Sequence, residues 1–232
     1  MNWITKIIEK HGLKFKNCTS FCADNAPVNF GESTNNIFYK LKAHNKNIVP
    51  IGCAAHSLHN AARHACDNFH WDIETIVFKL SNHFSISTLR SERLKELCDI
   101  FETKYNGIPT HGKTRWTTLL VVIEKMLKLW GPLTQYFSED GPLLLRNFFG
   151  SDDSEIFCLF LQHILPIFNE AIEFLEREDA ILPEMIDCVQ RFKSNLNRRL
   201  NDEFFGIMTK SRLSRIDPTK SEHIKDGFLV WF

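Results

Sequence analysis

The sequence predicts an α/β fragment followed by a mostly α chain. Two short apolar runs, at 18–23 and 48–51, are separated by helical patterns and closed by Asn, Pro or Gly, as strands of a parallel α/β unit are. From about Trp71 onward apolar residues recur only at helical spacing. The 232 residues are 44% hydrophobic and 24% charged, enough for a sizeable core and too apolar for a disordered chain. The expected organisation is a partial α/β core over 1–70, a helical domain over 71–205 and an irregular tail over 206–232.

In order, Trp3, Ile4, Ile7 and Ile8 share one helical face, and Gly12 follows as a stop. The run Cys18-Thr19-Ser20-Phe21-Cys22-Ala23 reads as a buried strand ending at Asp24, the position where open α/β sheets place ligand and metal groups. Ile37, Phe38 and Leu41 mark a short helix, and 48–51 a second strand ending in Gly52-Cys53. Cys53-Ala54-Ala55-His56 then opens a helix that packs through Leu58, Ala61, Ala62 and Ala65. Further helices are expected over 73–84, 86–105, 116–130, 143–149, 156–175 and 185–205, with Pro166 kinking or dividing the fifth of these. The breaks fall at 106–109, 131–132, 139–142 and 150–153.

Three landmarks carry candidate chemistry, each with a plainer alternative. Asp24-Asn25-Ala26-Pro27 offers a carboxylate at a strand end, yet Asp before Asn and Pro is also a common turn former. Cys53 and His56, with His59, His64, Cys66 and His70 nearby, could suggest zinc, but the candidates are spread around a helix and lack the paired spacings of a structural site. A half-buried strand-to-helix corner explains the pair equally well. Arg115-Trp116 opens an amphipathic run through Leu119, Leu120, Ile123, Met126, Leu127 and Trp130, which on periodicity alone makes Trp116 a core residue.

Taken in order, Asp24-Asn25-Ala26 with Asn29, then Cys53-x-x-His56, then Arg115-Trp116, followed by an all-helical tract, resemble the transposases of the hAT superfamily, and most of all their domesticated, zinc-finger-protein-like members. The similarity spans about residues 1 to 205 and extends to Ala61–Asp67 and to Trp130 through Tyr136-Phe137. It implies an RNase H-like catalytic domain interrupted by a helical insertion, with three carboxylates holding two Mg²⁺ or Mn²⁺ ions for DNA strand cleavage and transfer. Asp24 matches the second carboxylate and would be a metal ligand. The first is expected upstream of Met1 and the last, a Glu, beyond Phe232. The resemblance further implies that Cys53 and His56 shape a DNA-end site, and that Trp116 stacks on an unpaired base with Arg115 near phosphate.

On this reading the chain is a catalytically incomplete transposase-like protein, retaining no metal cofactor and binding nucleic acid at most. The alternative is a helical protein–protein interaction module, self-associating or recruiting a partner. Glu170, Glu173, Glu176 and Glu178 lie on the solvated side of a packed helical stripe, so none replaces the missing Glu. Lys plus Arg equals Asp plus Glu, at 28 each, which argues against a strong DNA-binding module, and the basic stretch from Arg191 to Arg215 reads as a solvated helix face. No apolar run approaches the ~18 residues of a spanning helix, and the N-terminus lacks the apolar core of a signal peptide. Seven cysteines, odd in number and mostly on apolar faces, suit reduced thiols. Together these readings imply a nuclear or else cytoplasmic protein, not a secreted one, with no membrane or small-molecule partner.

Overall fold

Glycine and asparagine set the limits of the first elements. A computed structural model describes residues 2–32, 34–109 and 117–229, and divides the chain into two compact units, 1–58 and 59–232. In the first, helix α1 (Asn2–Lys10) ends where Gly12 adopts φ +71° and the Leu13 N–H reaches back to the Ile8 carbonyl, a left-handed stop that glycine adopts without strain. A 3₁₀ turn (Phe15–Asn17) leads into β1 (Ser20–Ala23); α2 (Pro27–Phe30) and α3 (Ile37–His44) follow, then β2 (Val49–Gly52). Asn36 caps α3 by accepting the Tyr39 N–H at 2.7 Å. Asn45, which is buried, donates to the Cys18 carbonyl at 2.7 Å and accepts the Asn47 N–H at 3.1 Å, tying the entry of β1 to the entry of β2.

The strands pair in parallel, Ser20 opposite Val49 through Ala23 opposite Gly52. Phe21 lies on the face where Phe30 and Phe38 pack as tilted rings, with centroids 5.5 Å and 6.0 Å apart along the row. The pleat puts Cys22, Val49 and Ile51 on the opposite face, and all three are exposed. The strand ending at Asp24 was expected to be buried; β1 is half-buried and β2 is exposed along its whole length. The periodicity of a short apolar run identifies a strand but not the number of layers that cover it.

The ladder also assigns an inside and an outside edge to each strand. Val49 donates to the Thr19 carbonyl and Cys53 to the Ala23 carbonyl, so by the alternation of a parallel pair Val49, Ile51 and Cys53 face β1, while Pro50 and Gly52 face outward. Pro50 has no N–H to offer there, a feature of edge strands. By the same alternation Ser20 and Cys22 turn their backbone groups away from β2.

The second unit is helical: the remainder of α4 (Ala54–Cys66), then α5 (Ile73–Ser85), α6 (Thr88–Ile100), α7 (Thr117–Lys128), α8 (Trp130–Glu139), α9 (Leu143–Phe149), α10 (Asp152–Leu175), α11 (Leu182–Asn201), α12 (Ile207–Leu213) and α13 (Pro218–Leu229). α10 is its centre, packing against α7, α9, α11 and α12. It is long and apolar enough to cross a membrane by composition, contrary to the sequence reading, but 72% of that stretch is buried inside the protein, as in a core helix. Pro166 lies within α10 without dividing it.

Several boundaries differ from expectation. α6 stops at Ile100, well short of residue 105, because Glu102 takes φ +52° and the Thr103 N–H returns to the Cys98 carbonyl. The pair Gly131-Pro132, expected to end a helix, sits in the first turn of α8, where the N–H that proline lacks would have no intrahelical acceptor. The tail over 206–232, expected to be irregular with exposed aromatics, holds α12 and α13, and Phe228 is buried against Phe160 and Phe205. Its apolar residues are too sparse to show a period, and tertiary packing supplies the order.

His83 is buried within a cluster of Phe84, Tyr136 and Phe137, its Nε2 3.1 Å from the Tyr136 hydroxyl, and burial lowers its pKa, with Arg90 adding to the effect. The unfolded chain therefore takes up this proton more readily than the folded one. The His83 contribution to stability is whole above about pH 6.5 and is lost as pH falls through the unfolded and then the folded pKa. Urea titrations between pH 7.5 and 5 should show this loss in the native protein and a shallower one in His83→Phe. In the core, Phe160→Ala should cost about 3–5 kcal/mol. Leu143→Ala, at a side chain 70% exposed, should stay within about 0.5 kcal/mol by the same measurement.

Candidate functional site

The C-terminal ends of β1 and β2 bring together the residues singled out in the first unit. Asp24 follows the last residue of β1, and Cys53 follows the last of β2. Asp24 is exposed, and its Oδ1 accepts the Ala26 N–H at 3.1 Å and the Asn29 amide at 2.7 Å. The Asn29 amide also lies 3.3 Å from the Asp24 carbonyl. These bonds close an Asx turn that delivers the chain to Pro27 at the start of α2.

Asn25 crosses to the neighbouring strand end, where its Nδ2 donates to Ser57 Oγ at 3.0 Å, and Ser57 donates to the Cys53 carbonyl at 3.1 Å. This bridge exists because residue 52 is glycine: a Cβ there would overlap Asn25 Oδ1. Cys53 and His56 are half-buried at the first turn of α4, and His56 has no hydrogen-bond partner among the described residues. Asn25, Gly52 and Ser57 were not singled out from the sequence. Asn25 adjoins Asp24, but its partner becomes visible only once the strand register is known.

The donor set does not fit a pair of divalent cations. Two hard ions need several oxygen ligands, and at least one shared carboxylate, at octahedral distances. Asp24 brings a carboxylate to this corner whose Oδ1 already has two donors, and among the described residues no cluster of three or more His, Cys, Asp or Glu suited to a metal occurs. The zinc alternative disperses in the same way. His59 is buried 3.8 Å from Glu176, Cys66 is buried with its thiol pKa pushed well up by desolvation and the nearby Glu74, and His70 Nε2 sits 2.9 Å from Asp153. Arg115 and Trp116 lie outside the described residues.

Most of the basic stretch is solvated, with Arg191, Lys193, Arg198, Lys210 and Arg215 exposed and Arg199 and Arg212 half-buried. Arg191 pairs with Asp187 at 3.2 Å, Arg199 bonds Asn195 at 2.6 Å and Arg212 pairs with Glu155 at 2.7 Å. Lys193, Lys210 and Arg215 carry no ion pair among the described residues. Of the acidic candidates, Glu176 is the C-cap of α10, facing His59. All seven cysteines are free. No family model matches the sequence, and no solved structure matches the chain.

The Asn25–Ser57 bridge should be sensitive to the residue opposite it. Gly52→Ala should displace Asn25 and cost about 0.5–1.5 kcal/mol in urea unfolding, the value of a lost hydrogen bond. In an Asn25→Ala background the same change should become neutral or stabilising, since alanine suits a strand better than glycine. An unchanged cost would contradict the bridge.

Proposed function

We propose that this chain is a catalytically incomplete relative of the hAT transposases whose present role is nucleic-acid binding at most. The observation that supports the reading is the polarity of the β pair. β2 is finished as an edge by Pro50, whereas the outer edge of β1, the Asp24 strand, has no strand partner among the described residues, although the Ser20 carbonyl accepts the Cys18 thiol. A strand carrying a second carboxylate would have to lie beside β1 for both acids to hold the same ions, and that is the edge left open. Among the described residues no group of three or more His, Cys, Asp or Glu gathers to hold the ions of two-metal strand cleavage, and Asp24 acts as the turn former that its hydrogen bonds describe.

Nucleic-acid binding would rest on Arg115 and Trp116, on phosphate contacts from the unpaired Lys193, Lys210 and Arg215, and on the corner formed by Cys53 and His56. The balanced charge of the whole chain keeps such binding weak and salt-dependent. A second reading, a helical module that binds a protein partner or another copy, is favoured by the start of α11, where Ile181, Leu182 and Ile186 are 57%, 69% and 50% exposed. Leu182 and Ile186 lie one turn apart on the same helical face.

Fluorescence anisotropy with a labelled branched oligonucleotide separates the two. Binding should weaken at least about tenfold between 50 and 200 mM salt, and Trp116→Ala should remove about 1–3 kcal/mol, one stacked base. Mn²⁺ should produce no cleavage product. Salt-insensitive self-association with no oligonucleotide binding would favour the second reading, and Mn²⁺-dependent cleavage lost in Asp24→Asn would overturn the first.

A further inference from the structure

A cleft of about 500 Å³ opens in the second unit between the last turns of α5, the start of α6 and the turn that joins α8 to α9. This volume falls in the range of about 300–1,000 Å³ that holds small ligands. A buried imidazole lines it. His83 is 6% exposed, and with Nε2 at the Tyr136 hydroxyl its Nδ1 makes no hydrogen bond among the described residues and stays open to the cleft. Gly141 leaves this ring edge uncovered. It sits at φ +119°, in the region that favours glycine, and a Cβ there would come 2.7 Å from the Phe137 ring and 3.9 Å from His83 Cε1, the carbon between the two ring nitrogens.

The walls set the charge of the occupant. Lys79 and Arg90 line the cleft and carry no ion pair among the described residues. The Arg90 guanidinium, half-buried, is anchored by donating to the His83 carbonyl at 3.3 Å. Asp140 is the opposing carboxylate, and its Oδ1 accepts the Gly141 N–H at 2.7 Å. Behind the imidazole, Arg93 lies over the Tyr136 ring at 5.5 Å and is neutralised by Glu139. Two unpaired cations against one carboxylate leave the cleft net positive.

His83 adds a donor to these charges. When the Tyr136 hydroxyl donates to Nε2, Nδ1 carries the ring proton and points it at the cleft. Arg90 offers a planar fork of N–H groups and Lys79 a point charge, a combination suited to phosphate oxygens. Burial and then Arg90 hold the His83 pKa below its ordinary value, with Asp140 acting the other way. An anion beside Nδ1 would favour the protonated ring.

We propose that this cleft holds a tetrahedral oxyanion, the phosphate or sulfate group of a small ligand, between Arg90, Lys79 and Nδ1 of His83. Inorganic sulfate is the probe, because its charge is constant over the range in which histidine titrates. In NMR titrations of the full chain, with sodium chloride at matched ionic strength as the reference, sulfate should bind saturably and raise the pH midpoint of the His83 ring. Its affinity should be higher at about pH 5.5 than at about pH 8. Lys79→Gln and Arg90→Gln should each weaken binding at least about threefold, and Asp140→Asn should tighten it, as removal of a charge beside a bound ion requires. Lys79 is exposed, so its variant keeps the fold even if Arg90→Gln loosens the end of α5. A response to sulfate that does not saturate, a His83 midpoint moved equally by chloride, or an affinity unchanged in Lys79→Gln would overturn the proposal.

Discussion

The first unit depends on the four-pair parallel ladder from Ser20–Val49 to Ala23–Gly52. Parallel pairs ordinarily lie inside a larger sheet with helices on both faces. Here the face of Cys22, Val49 and Ile51 is exposed, and among the described residues of 1–58 the buried apolar ones are Leu41, Ile48 and Ala55. So small a core gives little hydrophobic stabilisation, and the unit relies on specific polar ties. Asn45 joins the strand entries, and Asn25 with Ser57 joins the strand exits. Every candidate residue of this unit is positioned by that ladder, because Asp24 and Cys53 are the residues that follow its last pair.

The second unit is held by the opposite means. α10 buries apolar side chains around most of its circumference, from Ile156 through Leu175, and the surrounding helices fill the space with rings: Phe148 and Phe149 on α9, Tyr136 and Phe137 on α8, and Phe205 and Phe228 toward the tail. Burial of each such side chain contributes about 1.5–3 kcal/mol, the scale of the cost of losing a cap or a single hydrogen bond or larger. Some polar groups buried in this unit are paired, such as His83 with Tyr136 and Ser154 with the Phe148 carbonyl, whereas the Trp71 indole N–H and the Ser81 and Thr209 hydroxyls have no hydrogen-bond partner among the described residues.

Much of this was legible from residue patterns, for physical reasons that differ by element. Gly12 ended α1 as a left-handed residue should, the strand before Asp24 stopped where Asn and Pro follow, and α9 kept the bounds set by Pro142 and Gly150. The misses have two causes, local backbone geometry that composition does not announce and packing between residues distant in sequence. Glu102 adopts a positive φ with no glycine to announce it, Pro132 is harmless because it falls in a first turn, and α13 is ordered by Phe160 and Phe205. At the site, the positions of Asp24 and Cys53 were readable, whereas the Asn25–Ser57 bridge needed the register that places Gly52 beside Asn25.

The functional account rests on the asymmetry of the two strand edges: Pro50 closes β2, and the outer edge of β1, the strand that leads to Asp24, has no strand partner among the described residues. Residue-resolved amide hydrogen exchange tests it most directly. The account predicts that the Ser20 and Cys22 amides exchange much faster than those of Phe21 and Ile51, which point into the ladder. Equal protection of Ser20 and Cys22 would mean that the outer edge of β1 is already paired, and would contradict the account.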